Sequence, residues 1–285
     1  MVTVERFKKE LIQGFVEFWE QAHPREQSGE HADNILALLS MPYYNQDLHL
    51  IARENESIVA SAFILTVEYP YLVIKTIPGY AWTADMLFSA IIELAKARGM
   101  KHIYIATGKS DRELQAFVTA RKFRFEKKEL RLNTKLNSAQ HMPVHTHVAE
   151  PSDFEEIIEV LEEAFHGEHV DVRRYIELHG EQLTNGEFIV IVYREDQVIA
   201  GAIVLQINPN DGRKAYIPLV GVRGKFRHCG IGRALVEAAK AWAYAHGVNE
   251  ISLAVNSENA CAVELYLKSG FEIYDEVYLY SYMVE

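Results

Sequence analysis

The sequence predicts an α/β (α+β) chain of two domains with one architecture, each a mixed, mostly antiparallel sheet flanked by helices. Three observations predict it. The length of 285 residues suits two ordinary domains better than one. Segments recur 140 to 148 residues apart, far beyond the ~20–50 residues of a solenoid unit, so one domain is present twice. Within each half, β-rich runs alternate with amphipathic helical stripes.

The elements justify this in order. Residues 51–65 and 191–205 are β-rich runs around a polar turn, and Ala60 and Ala62 match Ala200 and Ala202. Residues 95–106 and 243–254 each read as a helix end, a glycine stop and an alternating strand. Gly99 then corresponds to Gly247, and Phe123 to Phe271. The offset grows between hairpin and long helix, so the first copy is shorter there. In the second copy, Ser152 to Glu155 reads as a capping box. Phe154, Ile157, Ile158, Leu161 and Phe165 follow as an apolar stripe that belongs to the core. The polar stretch 137–143 ends in proline and reads as the linker, dividing residues 1–137 from 143–285.

Composition narrows the class. Apolar residues make up 49% and charged residues 24%, enough to bury real cores. No apolar run reaches the ~18 residues of a membrane span, and the first residues are charged where a signal peptide is apolar. With two cysteines there is no disulfide framework, so a cytoplasmic setting is expected, with no membrane partner. Residues 1–140 carry 18 Lys and Arg against 17 Asp and Glu, and residues 141–285 carry 11 against 23. An acidic second half repels phosphate backbones, which argues against nucleic acid and favours a cationic partner. It also serves solubility, and charge alone leaves both readings open.

The chemistry is concentrated in residues 216–247. An apolar strand, 217–222, runs into a basic loop ending in Arg227, His228, Cys229, Gly230, Ile231 and Gly232, and a helix begins at once. Glycines let backbone approach a ligand, and free N–H groups at a helix start face negative charge. Arg227 and Arg233 add charge-assisted donors. A pyrophosphate is the natural occupant. The loop is neither a Walker loop nor a dinucleotide fingerprint. After the next strand comes Asn259, with Ala262, Leu265, Tyr266, Gly270 and Phe271 at fixed spacing.

Together these two segments, R-x-x-G-x-G and N-x-x-A-x-x-L-Y-x-x-x-G-F, resemble the signature motifs of the GCN5-related N-acetyltransferases (GNAT). The likeness implies a tandem GNAT arrangement with a degenerate first copy and a catalytic second copy. It further implies acetyl-CoA as co-substrate, no metal, and a small-molecule or peptide amine as acceptor. By position, Val220, Gly221 and Val222 would bond the pantetheine arm through their backbone. His228, Cys229, Gly230, Ile231, Gly232 and Arg233, preceded by Arg227, would bind the pyrophosphate. Asn259 would reach the arm, and Tyr266 would protonate the departing thiolate, a role a phenol can fill near pH 7. Some members carry a glutamate base where this chain has Ala254. The base is therefore open between a water chain, Glu258 and a group near the acceptor.

The first copy lacks these features. Residues 71–92 hold one glycine and no R-x-x-G-x-G, and Val118 and Lys122 stand where Tyr266 and Gly270 stand. It is expected not to turn over. Three further sets carry no prediction: His141, His145 and His147; Glu163, His166 and His169; and the pair Tyr69 and Tyr71. Cys261 is expected to be packing. The leading function is N-acyl transfer by direct amine attack. The alternative is a non-catalytic acyl-CoA-binding or interaction module.

Overall fold

The computed structural model describes residues 1–22, 35–36, 38–40, 43–66, 70–139, 141–166, 171–178, 186–209 and 211–285. They form two compact units, Met1–Glu126 with Tyr278–Glu285, and Lys127–Val277. This differs from the sequential division expected at residues 137–143, because each unit takes its last strand from the far end of the other half. Strand β6 (Arg124–Lys135) runs antiparallel to β12 (Glu250–Asn256), Leu132 opposite Leu253, so most of it, from Lys127 on, lies in the second unit. The end of β13 (Glu272–Met283) lies in the first. Such pairing is non-local, and no polar stretch announces it.

In the first unit the elements are β1 (Val2–Arg6), α1 (Ile12–Ala22), β2 (Tyr44–Glu54), β3 (Ser57–Thr66), β4 (Pro70–Thr76), α2 (Thr83–Ala97), β5 (His102–Gly108) and α3 (Arg112–Ala120). The strands lie in the order β1-β2-β3-β4-β5, followed by the end of β13. Pairing is antiparallel from β1 through β4 and parallel between β4 and β5. One core gathers Leu87, Ile91 and Ala95 of α2 with Ala60, Ala62 and Ile64 of β3. The other gathers Phe15 and Phe18 of α1 with Ile51 and Phe63. Alternation along β3 explains the two faces: successive side chains point oppositely, so a strand buried on both sides reads as one apolar run.

The second unit holds β7 (Thr146–Val148), α4 (Phe154–Ala164), α5 (Val172–Leu178), β8 (Phe188–Glu195), β9 (Val198–Asn208), β10 (Asp211–Ile217), β11 (Val220–Val222), α6 (Ile231–Ala245), β12 and α7 (Ala260–Lys268). Its strand order is β13-β6-β12-β10-β9-β8-β7, with β11 on β9. Helix α6 covers one face with Leu235, Ala238 and Ala239, and α4 covers the other with Ile157, Ile158 and Leu161. The repeat is visible in the bounds themselves. Helices α2 and α6, strands β5 and β12, helices α3 and α7, and strands β6 and β13 each begin and end 148 residues apart. Gly99 and Gly247 end α2 and α6 at φ +70° and +84°, as the glycine stops predict.

One local expectation shifts. The cap before α4 is formed by Glu150 and Asp153 around Pro151 rather than by Ser152 and Glu155. The Asp153 carboxylate accepts the Glu150 N–H at 3.1 Å, and Arg194 pairs with that same carboxylate. A short 3-10 turn, Pro151–Asp153, therefore precedes the helix proper. Among the described residues, no helix is long and apolar enough to cross a membrane.

Candidate active site

The site begins where one strand is broken in two. Strand β10 pairs in parallel with β12, from Lys214 opposite Glu250 to Ile217 opposite Leu253. Pro218 follows and has no N–H to continue the ladder. Against β9 the register slips by one, from Tyr216 opposite Gln206 to Val220 opposite Ile203. Strand β11 stays with β9, and pairing with β12 ends at Ile217. The sequence suggested a single strand over 217–222; the bulge at Pro218 and Leu219 divides it.

The bulge decides where main-chain groups point. Val204 donates to the Leu219 carbonyl at 2.8 Å, and Arg223 donates to the Ala200 carbonyl at 2.9 Å. Residues 219, 221 and 223 are thus the hydrogen-bonded positions of this ladder. Val220 and Val222 turn their N–H and C=O groups the other way, toward the side from which β12 has parted. Gly221 is required for a separate reason. A Cβ there would lie 2.8 Å from the Ala164 Cβ and 2.9 Å from Leu161 Cδ2, so α4 can lie this close only against glycine.

Beyond β11 the chain makes a 3-10 turn, Gly224–Phe226, and enters the basic loop. His228 sits at φ +64° and Gly230 at φ +83°, the left-handed conformations that fold a short loop back on itself. Gly230 caps α6. Ala234 N–H reaches the Gly230 carbonyl at 3.0 Å and is the first satisfied donor of the helix. Among the described residues, the N–H groups of 228 to 233 donate to no protein group. Six orphan donors at a helix N-terminus make a nest of the kind that suits an anion, and the helix dipole adds to it. Arg227 is held beside it, its Nε donating to the Val222 carbonyl at 3.1 Å.

The opposite wall is α7. Asn259 is its N-cap and accepts the Ala262 N–H at 3.1 Å through Oδ1, which leaves its amide N–H groups without a protein partner among the described residues. Gly232 allows α6 and α7 to approach, since a Cβ there would meet Leu265 Cδ2 at 3.3 Å. Tyr266 is 8% exposed and meets Phe271 edge-on at 5.8 Å. Its pKa is raised above the ordinary phenol value, first by burial and then by the neighbouring Tyr216. A raised pKa favours the protonated phenol, which is a hydrogen-bond donor.

These walls enclose a cleft of about 530 Å³. Every residue assigned from the sequence to acetyl-CoA or to thiolate protonation lines it except Cys229, whose thiol turns to the Arg227 carbonyl at 3.5 Å. Ala164, Phe226, Cys261, Ala262 and Leu265 complete the lining. Cys261, expected to be packing, is exposed and faces the cleft. Ala164 carries no chemistry by which sequence could have marked it. Tyr216 is not part of the lining and is 40% exposed, but its phenol lies close enough to Tyr266 to act on it electrostatically. Its pKa is pushed up to about 12, first by burial and then by Glu129. The position of Ala254 offers only a methyl group.

The first unit has the same frame with other contents. Asp111 caps α3 as Asn259 caps α7, accepting the Leu114 N–H at 3.0 Å. Lys122 takes the left-handed position of Gly270, at φ +55° against +84°. Val118 is buried at the tyrosine position. At the start of α2 two of the donors are already used: Thr83 N–H bonds the Tyr80 carbonyl at 2.9 Å and Ala84 N–H the Ala81 carbonyl at 3.1 Å. The corresponding pocket is smaller, about 190 Å³, and Lys75 lies 3.9 Å from Asp111 in it. Of the other histidines, His147 accepts from Arg194 at 3.0 Å, while His169 and Tyr69 lie outside the described residues.

Residues 154–271 match the sequence model of the Acetyltransferase (GNAT) family. The chain is 33% identical over 105 residues to the "Probable N-acetyltransferase san" of Drosophila melanogaster, a match spanning 36% of this chain and 56% of that protein. It shares its fold with a GCN5-related N-acetyltransferase from Sphaerobacter thermophilus, at a TM-score of 0.82 and 16% identity, covering 100% of this chain and 96% of the other. A tandem GNAT protein from the clavulanic acid biosynthesis pathway aligns at a TM-score of 0.75 and 14% identity, over 100% and 99% of the two chains. Residues 154–271 are a domain of the acetyltransferase (GNAT) family, set in a chain whose whole fold is that of a tandem GNAT protein.

Proposed function

We propose that the second unit transfers an acetyl group from acetyl-CoA to an amine of a small molecule or peptide, and that the first unit is a non-catalytic copy. One observation carries this reading: a single cleft is lined both by His228 and residues 230–233, whose N–H groups are unpartnered among the described residues, and by the largely buried Tyr266. The donors suit a pyrophosphate, with Arg227 and Arg233 alongside. The main-chain groups of Val220 and Val222, and the amide of Asn259, suit the pantetheine arm.

The donor supplies an activated thioester. The deprotonated amine attacks its carbonyl, the C–N bond forms, and the C–S bond breaks. Tyr266 gives its proton to the leaving sulfur and regains one from the amine nitrogen by way of solvent. Main-chain N–H near Val220 polarises the carbonyl oxygen. Ala254 supplies no base, so the amine loses its proton to water or to a group on the acceptor side. The acidic excess of residues 141–285 favours a cationic acceptor.

The test is thiol release from acetyl-CoA with a panel of amines. Release that depends on amine, and acetyl found on nitrogen, supports the reading. Binding of acetyl-CoA with no turnover for any amine would leave a non-catalytic acyl-CoA-binding module instead.

A further inference from the structure

Where β11 leaves the sheet for the nest, α4 grips it with three glutamates. Glu156, Glu159 and Glu163 lie at i, i+3 and i+7, one face of the helix. All three surround the guanidinium of Arg223, at 3.6, 3.4 and 3.6 Å, and that side chain is only 18% exposed. Arg223 also donates from Nε to the Ile199 carbonyl at 3.0 Å, and Glu156 accepts the Ile199 N–H at 2.9 Å. One residue further, Glu163 Oε1 accepts the Gly224 N–H at 2.7 Å. The network thus fixes Arg223 and Gly224, the first two of the five residues between the bulged strand and the loop of orphan donors. The same helix contributes Ala164 to the cleft wall.

We infer that Arg223 and Glu163 are positioning residues for acyl-CoA binding, holding the entry of the nest at the angle that turns its N–H groups into the cleft. This rests on the acyl-CoA reading given above. A nest is made of main-chain groups, so it has no side-chain stiffness of its own. Its direction depends on what anchors the backbone before it. The left-handed residues His228 and Gly230 set the curl of the loop, and the Glu163 bond to Gly224 sets where the curl begins. A purely structural ion cluster would alter melting and leave ligand affinity alone.

A built-in control separates the two. Arg173 pairs with Glu155 at 3.3 Å and Glu162 at 3.8 Å on the same helix, with no bond to the loop. The experiment is calorimetric titration of CoA, with melting temperatures, into the full chain and into Glu163→Ala, Glu163→Gln, Arg223→Met and Arg173→Met. Glu163→Ala and Arg223→Met should weaken CoA binding about tenfold or more while remaining folded. Glu163→Gln, whose amide oxygen still accepts the Gly224 N–H, should stay within about threefold, and Arg173→Met should match the unaltered chain. If Arg223→Met fails to fold, Glu163→Ala alone decides. Near-normal affinity in Glu163→Ala, or an equal loss in Arg173→Met, would overturn the inference. No CoA binding by the unaltered chain would instead remove the acyl-CoA reading on which it stands.

Discussion

At the scale of single residues, chemistry rests on what is buried and what remains unbonded. Tyr266 is the clearest case. Tyr266→Phe retains the ring and its contact with Phe271, so CoA affinity should hold while turnover falls within the ~10²–10⁴-fold range of a lost acid. A packed tyrosine with no role in the reaction would behave differently: melting would drop, by about 1 kcal/mol, and the rate would stay. Turnover and melting measured on one sample distinguish them. His49 in the first unit gives a second residue-scale test. It is fully buried between Phe7, Phe15 and Phe63, and its nitrogens bond Tyr44 and Ser61, each at 2.8 Å. Burial pushes its pKa down to about 3. The unfolded chain binds a proton below about pH 6.5 and the folded chain does not, so stability is full above that value and declines as pH falls toward 3. Melting temperature should therefore fall between pH 7 and 4, and more shallowly in His49→Phe. An identical slope in both proteins would show that His49 has no part in it. The hydroxyl of Ser61 stands at the repeat position of Gly201, where a Cβ would come within 2.9 Å of the Gly221 carbonyl. One register position thus serves a polar network in one copy and close backbone packing in the other.

At the scale of elements, two copies of one frame diverge at a helix start. Helix α6 begins with six donors idle among the described residues, and α2 begins with its first two bonded to Tyr80 and Ala81. Much of this was legible in sequence, because it is local. Gly99 and Gly247 mark helix ends by their own conformational freedom. The stripe of α4 shows in Ile157, Ile158 and Leu161. What sequence did not show depends on partners far along the chain. The bulge at Pro218 and Leu219 follows from competition between β9 and β12 for one strand. Ala164 enters the cleft only because α4 lies close on Gly221. Gly221 is itself testable. Gly221→Ala should force α4 away from β11 and cost ~1–3 kcal/mol, the range for overpacking a well-filled interior. Chemical denaturation measures it, and an unchanged midpoint would mean that α4 yields freely.

For the whole molecule, the sequence disclosed two copies of one fold and the later copy's motifs. It did not disclose that β6 joins the second unit and the end of β13 the first. Strand exchange of this kind is decided by pairing between Leu132 and Leu253, 121 residues apart, and no local signal records it. Charge is also a property of the whole. With 11 basic against 23 acidic residues over 141–285, encounter with a cationic acceptor should slow as salt screens the field over ~8 Å at physiological ionic strength. At saturating acetyl-CoA, kcat/KM for such an acceptor should decrease as salt rises. A flat dependence would leave the acidity to solubility alone.

The central claim is that one acyl-CoA is held by the nest at the start of α6 and none by the first unit. The most direct measurement is calorimetric titration of CoA into the full chain and into Gly230→Val. Gly230 sits at φ +83° with open space around it, so the substitution strains the loop without crowding a neighbour. One CoA per chain should bind the unaltered protein, and Gly230→Val should remain folded with binding abolished. Unchanged affinity in Gly230→Val, or two equivalents bound per chain, would contradict the account.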